Sequence, residues 1–149
     1  MLSKTCQHGI KAMICITQNA KESKRVSIVD ISSKINVPEA FTSKIMQRLV
    51  KSGMVKSKKG AHGGFYVEER LIHKITVWDV VSELDGGELK YGCILGLTAC
   101  SNRNPCPAHE QYKPVRNNLI NFMESTYLAD LADKLKAGNG NIVLQLLSI

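Results

Sequence analysis

Apolar residues recur at intervals of three and four through much of this chain, and the breaks between these runs divide it into helices. Ile10, Met13, Ile14 and Thr17 share one helical face, which predicts a first helix over residues 3–18, with Cys15 beside that face as a small buried side chain. The polar run 19–25 reads as a loop. Ser27-Ile28-Val29-Asp30 then has the form of a capping box, in which a hydroxyl and a carboxylate satisfy free amides at a helix start. It opens a short second helix with Ile28, Ile31 and Ile35 inward. Asn36-Val37-Pro38 is a turn, and Pro38 suits the first turn of a third helix, where a missing amide hydrogen is harmless. Phe41, Ile45 and Leu49, with Met46 and Val50, form the expected buried stripe of that helix and leave Thr42, Lys44, Gln47, Arg48 and Lys51 on its other faces. Gly53 ends it.

The period then shortens. Residues 54–59 and 65–67 read as two short strands around the turn Gly60-Ala61-His62-Gly63-Gly64. Two helices joined by a tight turn, the second basic, followed by a hairpin, have the pattern of a helix-turn-helix with a wing. Thr76-Val77-Trp78-Asp79 is a second capping-box form, opening a fourth helix with Val77, Val80, Val81 and Leu84 inward, Trp78 packing, and Gly86-Gly87 closing it. Residues 88–106 have no sustained period, and a loop that long in a small chain is functional or disordered. Pro107 starts the next helix, along which Tyr112, Val115, Leu119 and Phe122 form a short coiled-coil-like seam suited to pairing with a second copy. Leu128, Leu131 and Leu135 mark one more helix, begun near Thr126 and ended by Gly138, and the tail 142–149 is apolar. The expected fold is mainly α with a small β-wing. A winged helix-turn-helix spans 1–85, a cysteine-bearing loop 86–106, and a long dimerisation helix with a C-terminal segment 107–149.

Charge sharpens this picture. The net charge of +7 is unevenly spread, with 14 Lys and Arg against 5 Asp and Glu in residues 1–74 and 6 against 8 in the remainder. Lys44, Arg48, Lys51, Lys56, Lys58 and Lys59 follow one another with no acid among them, a footprint suited to phosphate backbones. No apolar run approaches the ~20 residues needed to span a bilayer, and no basic region followed by a long apolar one opens the chain. A cytoplasmic protein with no membrane partner is expected, in a compartment where clustered cysteines serve metal or redox chemistry more readily than disulfides.

Three of the five cysteines lie in the aperiodic loop as Cys93-x6-Cys100-x5-Cys106, followed by Pro107-Ala108-His109. The residues alone leave several readings open. Soft thiolates suit iron at both oxidation levels of a cluster. Three thiolates and an imidazole also complete a tetrahedral zinc shell, although these gaps exceed the short spacing of a zinc knuckle. Cys106 and His109 could form a nucleophile–base pair, but no oxyanion hole or substrate pocket is legible, and the chain is read as no enzyme.

The chain resembles the IscR family of winged-helix transcription regulators, which includes iron-sulfur, nitric-oxide and iron-responsive members. The resemblance rests on Val26-Ser27-Ile28-x-Asp30-Ile31, Lys51-Ser52-Gly53-Met54-Val55, Lys59-Gly60-Ala61-His62-Gly63-Gly64-Phe65, the three loop cysteines and Thr126-Tyr127-Leu128-Ala129-Asp130-Leu131. It implies a homodimer on near-palindromic double-stranded operators. It also implies a 2Fe-2S or 4Fe-4S cluster on Cys93, Cys100 and Cys106, with His109 where one branch places a histidine ligand. Where some 4Fe-4S relatives use an acid of the first helix, this chain has Gln7, a poor iron ligand. On the DNA side, Lys44 is expected at base edges and Ala40 and Phe41 against thymine methyls, with Arg48, Lys58 and Lys59 on phosphates. Ser27 at the start of the second helix and His62 at the wing tip complete the expected DNA face.

Overall fold

The structure, a computed structural model, describes residues 1–138; the apolar tail 142–149 lies outside the described residues. Helix α1 (Lys4–Ala20) is the centre of the packing, with Cys6, Ala12, Met13, Cys15 and Ile16 fully enclosed by α2 (Ile28–Ile35), α3 (Glu39–Lys51), α4 (Val77–Leu84) and α6 (Leu128–Lys136). Ser3 caps α1 by accepting the Cys6 amide at 3.1 Å, and its own N–H donates to Asp85 at 2.8 Å, which ties the start of α1 to the end of α4. Gly9 lets those two helices approach closely, since a Cβ there would stand 2.1 Å from Leu84 Cδ1. Burial, with Asp85 adding to it, pushes the Cys6 thiol up to about 12, and burial also raises Cys15. Both are inert core side chains.

The helix-turn-helix pair departs from the sequence expectation in one register. Phe41 is 40% exposed, and Thr42 fills the inward position together with Ile45, Met46 and Leu49. Burying a threonine is tolerable here because its hydroxyl donates to the Pro38 carbonyl at 3.1 Å. Pro38 stands one place before the helix rather than in its first turn, and its carbonyl accepts the Phe41 and Thr42 amides. At α2, Ser27 Oγ accepts the Asp30 amide at 3.1 Å and donates to Asp30 Oδ2 at 2.7 Å, so the reciprocal bond closes through the hydroxyl. The left-handed Asn36 (φ 54°) ends α2.

The wing is β1 (Lys56–Lys58), shorter than the predicted 54–59, paired antiparallel with β2 (Gly64–Tyr66), one residue earlier than the predicted 65–67, and Lys58 lies opposite Gly64. Val26 adds a bridge on the other side of β2, exchanging both backbone hydrogen bonds with Phe65 at 2.8 and 2.9 Å. This contact requires glycine. Gly64 has φ +129°, and a Cβ there would meet the Val26 carbonyl at 2.8 Å, while one on Gly63 would meet the Lys58 carbonyl at 2.1 Å.

Helix α4 starts with the full capping box: Thr76 Oγ1 accepts the Asp79 amide at 3.2 Å, and Asp79 Oδ2 accepts the Thr76 amide at 2.7 Å. Helix α5 (His109–Ser125) begins two residues after Pro107 and packs on α4, burying Ile120 and Met123. The chain then reverses at Thr126-Tyr127, where the Val77 amide donates to the Thr126 carbonyl and the Leu128 amide to the Ile75 carbonyl. Helix α6 thereby returns against α1 with Leu128, Ala129 and Ala132 buried. Thr76→Ala removes one half of the α4 box and is expected to cost about 1 kcal/mol, read as a lower urea midpoint at unchanged slope.

Candidate functional site

The loop between α4 and α5 is built from consecutive tight turns. The Gly96 amide closes one on the Cys93 carbonyl at 2.9 Å, the Cys100 amide another on Leu97 at 3.2 Å, and Ser101 and Asn104 exchange backbone hydrogen bonds at 3.1 Å. Arg116 of α5 pins the loop from outside, Nη1 donating to the Gly92 carbonyl at 2.9 Å. Lys90, in a 3-10 turn over Gly87–Lys90, pairs with Glu124 and lies 4.7 Å from the Trp78 ring centre.

These turns bring together the three cysteines that were widely spaced in sequence. Their Sγ atoms lie within 4.8 Å of one another, with Cys93 Sγ 3.5 Å from Cys106 Sγ. His109 joins them: Nδ1 is 3.3 Å from Cys100 Sγ, and the residue is 8% exposed. The Leu97 amide, donating to the Cys93 sulfur, pulls that thiol down to about 7, whereas burial holds the Cys106 thiol above its ordinary value. Gln7, the first-helix position, instead donates through Nε2 to the Leu2 carbonyl at 3.0 Å.

The cysteines and His109 line a cavity of about 220 Å³ with Tyr91, Asn102, Lys113 and Arg116. That volume is several times the roughly 30 Å³ share of one water molecule. Three thiols and an imidazole are the donor set of an iron-sulfur or zinc centre. The buried Nε–H of Arg116 has no acceptor among the described residues, so an electron-rich group in the adjoining cavity would find a donor and a positive charge in its wall. These residues fit the implied cluster.

In the helix-turn-helix and wing, Ala40, Phe41, Lys44, Gln47 and Lys51 are exposed on α3, and Lys58, Lys59 and His62 on the hairpin. Ser27 lines the cleft between α2, α3 and the wing with Gln47 and Gly63. Arg25, which the sequence reading did not single out, reaches the wing: its Nη1 donates to the His62 carbonyl at 3.0 Å and its guanidinium lies 5.2 Å from the Tyr66 ring centre. Arg48 differs from its neighbours. Its Nη1 donates to the Leu84 carbonyl at 3.1 Å, Nη2 to the Glu83 carbonyl, and Nε is 3.9 Å from the Glu83 carboxylate. It caps the C-terminal end of α4, while its side chain remains 46% exposed.

The Rrf2 family model, described as iron-dependent transcriptional regulator, matches residues 2–134. This chain belongs to the Rrf2 family. It is 31% identical over 134 residues to a protein of Aquifex aeolicus named as an HTH-type transcriptional regulator, covering 88% of this chain and 90% of that one. It is 26% identical over 132 residues to the transcriptional regulator IscR of Cronobacter sakazakii, covering 89% and 80%. Among solved structures, CymR of B. subtilis, described as its global cysteine regulator, superposes with a TM-score of 0.75 at 24% identity over 89% of this chain and 96% of CymR. T. potens IscR superposes with a TM-score of 0.71 at 23% identity over 94% and 91%. These likenesses establish the winged-helix fold for this Rrf2 protein, and the family establishes a transcription regulator.

Sequence spacing identified the four candidate ligands but not their surroundings. Asn102, Lys113 and Arg116 were missed. A signal was available for two of them, because His109, Lys113 and Arg116 are spaced i, i+4, i+7 and share one face of α5.

Proposed function

We propose that this Rrf2 regulator is a cytoplasmic homodimer that binds near-palindromic double-stranded DNA, and that an iron-sulfur cluster on Cys93, Cys100, Cys106 and His109 controls its operator affinity. The observation that carries the reading is the convergence of three Sγ atoms within 4.8 Å, with the His109 ring beside them. A cluster bound there supplies an oxidisable link that holds the loop together and is lost when iron or reductant fails. The protein's own residues convey the difference. His109 is both the candidate ligand and the first residue of α5, and its amide donates to the Cys106 carbonyl at 3.0 Å. Helix α5 packs on α4, and Arg48 ties the end of α4 to the reading helix α3. Order in the loop thus bears on the spacing of the two reading heads. Among the described residues no helix is long and apolar enough to cross a membrane.

A second reading is favoured by the 3.5 Å separation of Cys93 and Cys106 and by the likeness to a cysteine regulator: a cluster-free or zinc-holding repressor of the same family. Anaerobic purification followed by iron, acid-labile sulfide and zinc analysis separates the two. A brown protein with sulfide supports the cluster. A colourless one with no iron, with or without stoichiometric zinc, supports the alternative.

Within the DNA face, Lys44 reads base edges beside Ala40 and Phe41, and Lys58 and Lys59 hold phosphates, with Ser27 and His62 flanking. Lys59→Ala is expected to weaken binding across all sequences and to flatten the plot of log affinity against log salt by about one unit. Unchanged affinity and slope in a salt titration would remove Lys59 from the interface.

A further inference from the structure

We infer that Asn102, oriented by Lys113, is a positioning residue that fixes His109 in the tautomer whose Nδ1 lone pair faces the three cysteines. This rests on the metal-centre reading above and deepens it.

The chain of constraint starts at Lys113. An ammonium can only donate hydrogen bonds, and its Nζ lies 3.0 Å from the side-chain amide of Asn102. The amide atom it meets must therefore be the oxygen, which settles the orientation of a group whose two ends are otherwise interchangeable. That same Oδ1 lies 3.1 Å from His109 Nε2. An oxygen at that distance only accepts, so Nε2 carries the ring proton. In a neutral imidazole the other nitrogen is then the acceptor, and Nδ1 is the one 3.3 Å from Cys100 Sγ. The lone pair is directed into the cysteine cavity before any metal arrives.

Geometry along the chain supports a dedicated arrangement. His109 and Lys113 lie four residues apart on the same face of α5, and Asn102 comes from the opposing loop, in the turn closed by Ser101 and Asn104. His109 is 8% exposed, so water competes poorly for its ring nitrogens. A metal-bound histidine that donates its remote N–H to a fixed acceptor is held in orientation and made a stronger donor, and loss of such a partner typically costs 10–100-fold in metal affinity.

The test uses the full chain in two states. In metal-free, ¹⁵N-labelled protein at pH about 8, above the ordinary imidazole range, long-range nitrogen–proton correlation reads the His109 tautomer directly. Wild type is expected to be almost wholly Nε2–H. Asn102→Ala should give a mixture or the reverse tautomer, Asn102→Asp should restore Nε2–H because a carboxylate oxygen also accepts, and Lys113→Met should admit a mixture by freeing the amide to turn. In anaerobically reconstituted protein, Asn102→Ala should lose iron to a chelator at least about tenfold faster than wild type, and Asn102→Asp at the wild-type rate. A wild type without tautomer preference, or an Asn102→Ala variant matching wild type in both tautomer and iron loss, overturns the assignment. Failure of wild type to take up iron and sulfide defeats the cluster reading separately, since the tautomer is measured without metal.

Discussion

Replacing Cys93, Cys100 or Cys106 singly by Ala is expected to leave a folded protein that retains less than a tenth of the wild-type iron and sulfide after anaerobic reconstitution. Each Sγ lies within 4.8 Å of the other two, so each removal leaves iron without one of its strong donors, and no other cysteine stands near enough to substitute. The fold should survive because its core lies elsewhere: Cys93 and Cys100 are only half-buried, Cys106 is buried but outside the main apolar cluster, and the fully enclosed side chains are Val55 and those of α1, α2, α3, α4 and α6. Metal-free variants should therefore unfold within about 1 kcal/mol of metal-free wild type. Cys6→Ala and Cys15→Ala provide the contrast, since those thiols are sealed into the core and their loss should leave iron content unchanged while lowering stability. His109→Cys is expected to keep a cluster with a lower reduction potential, because thiolate donates more charge than neutral imidazole. Iron and sulfide analysis with anaerobic redox titration checks the set. A single Cys→Ala variant of the loop with wild-type iron content would show that the three thiolates do not act together.

Leu119→Glu is expected to convert the proposed dimer to a monomer at low micromolar concentration and to weaken operator binding with it. Val115, Leu119 and Phe122 are 60%, 38% and 55% exposed along one side of α5, while the other side of that helix carries the buried Ile120 and Met123 against α4. Three large apolar side chains in a row, uncovered by the described residues, fit a second copy meeting them across a two-fold axis. A carboxylate there must be desolvated with no partner, at about 3 kcal/mol or more, which corresponds to roughly a hundredfold weaker dimer. Sedimentation equilibrium reads this directly. A variant that remains dimeric would place the subunit contact elsewhere. Half-buried Tyr112, counted with this seam by its spacing, lines the cysteine cavity instead, its ring 5.8 Å from the Arg116 guanidinium.

What the sequence by itself determined is what depends on near neighbours. The Thr76–Asp79 box, the turn at Asn36, the glycines of the wing and the i, i+3, i+4 stripes of α1, α2 and α4 are constraints among residues a few positions apart, and each appears in the structure close to where the pattern put it. The spacing of three cysteines and a histidine was legible for the same reason, as a single aperiodic stretch with nothing else to explain it. Only the tertiary structure decided between Phe41 and Thr42 for the inward face of α3, because α1 and the Pro38 carbonyl set the rotation of that helix and gave the threonine hydroxyl an acceptor. It likewise turned Arg48 from the basic run to the carbonyls that end α4, 36 residues away, and set Val26 against β2. The placement of Asn102 behind the His109 ring belongs to the same class, since it comes from a loop turn and not from α5. Partners this far apart leave no period in the chain, since their meeting depends on how α4, α5 and the loop pack, and packing energy is shared among many contacts rather than written into any one of them.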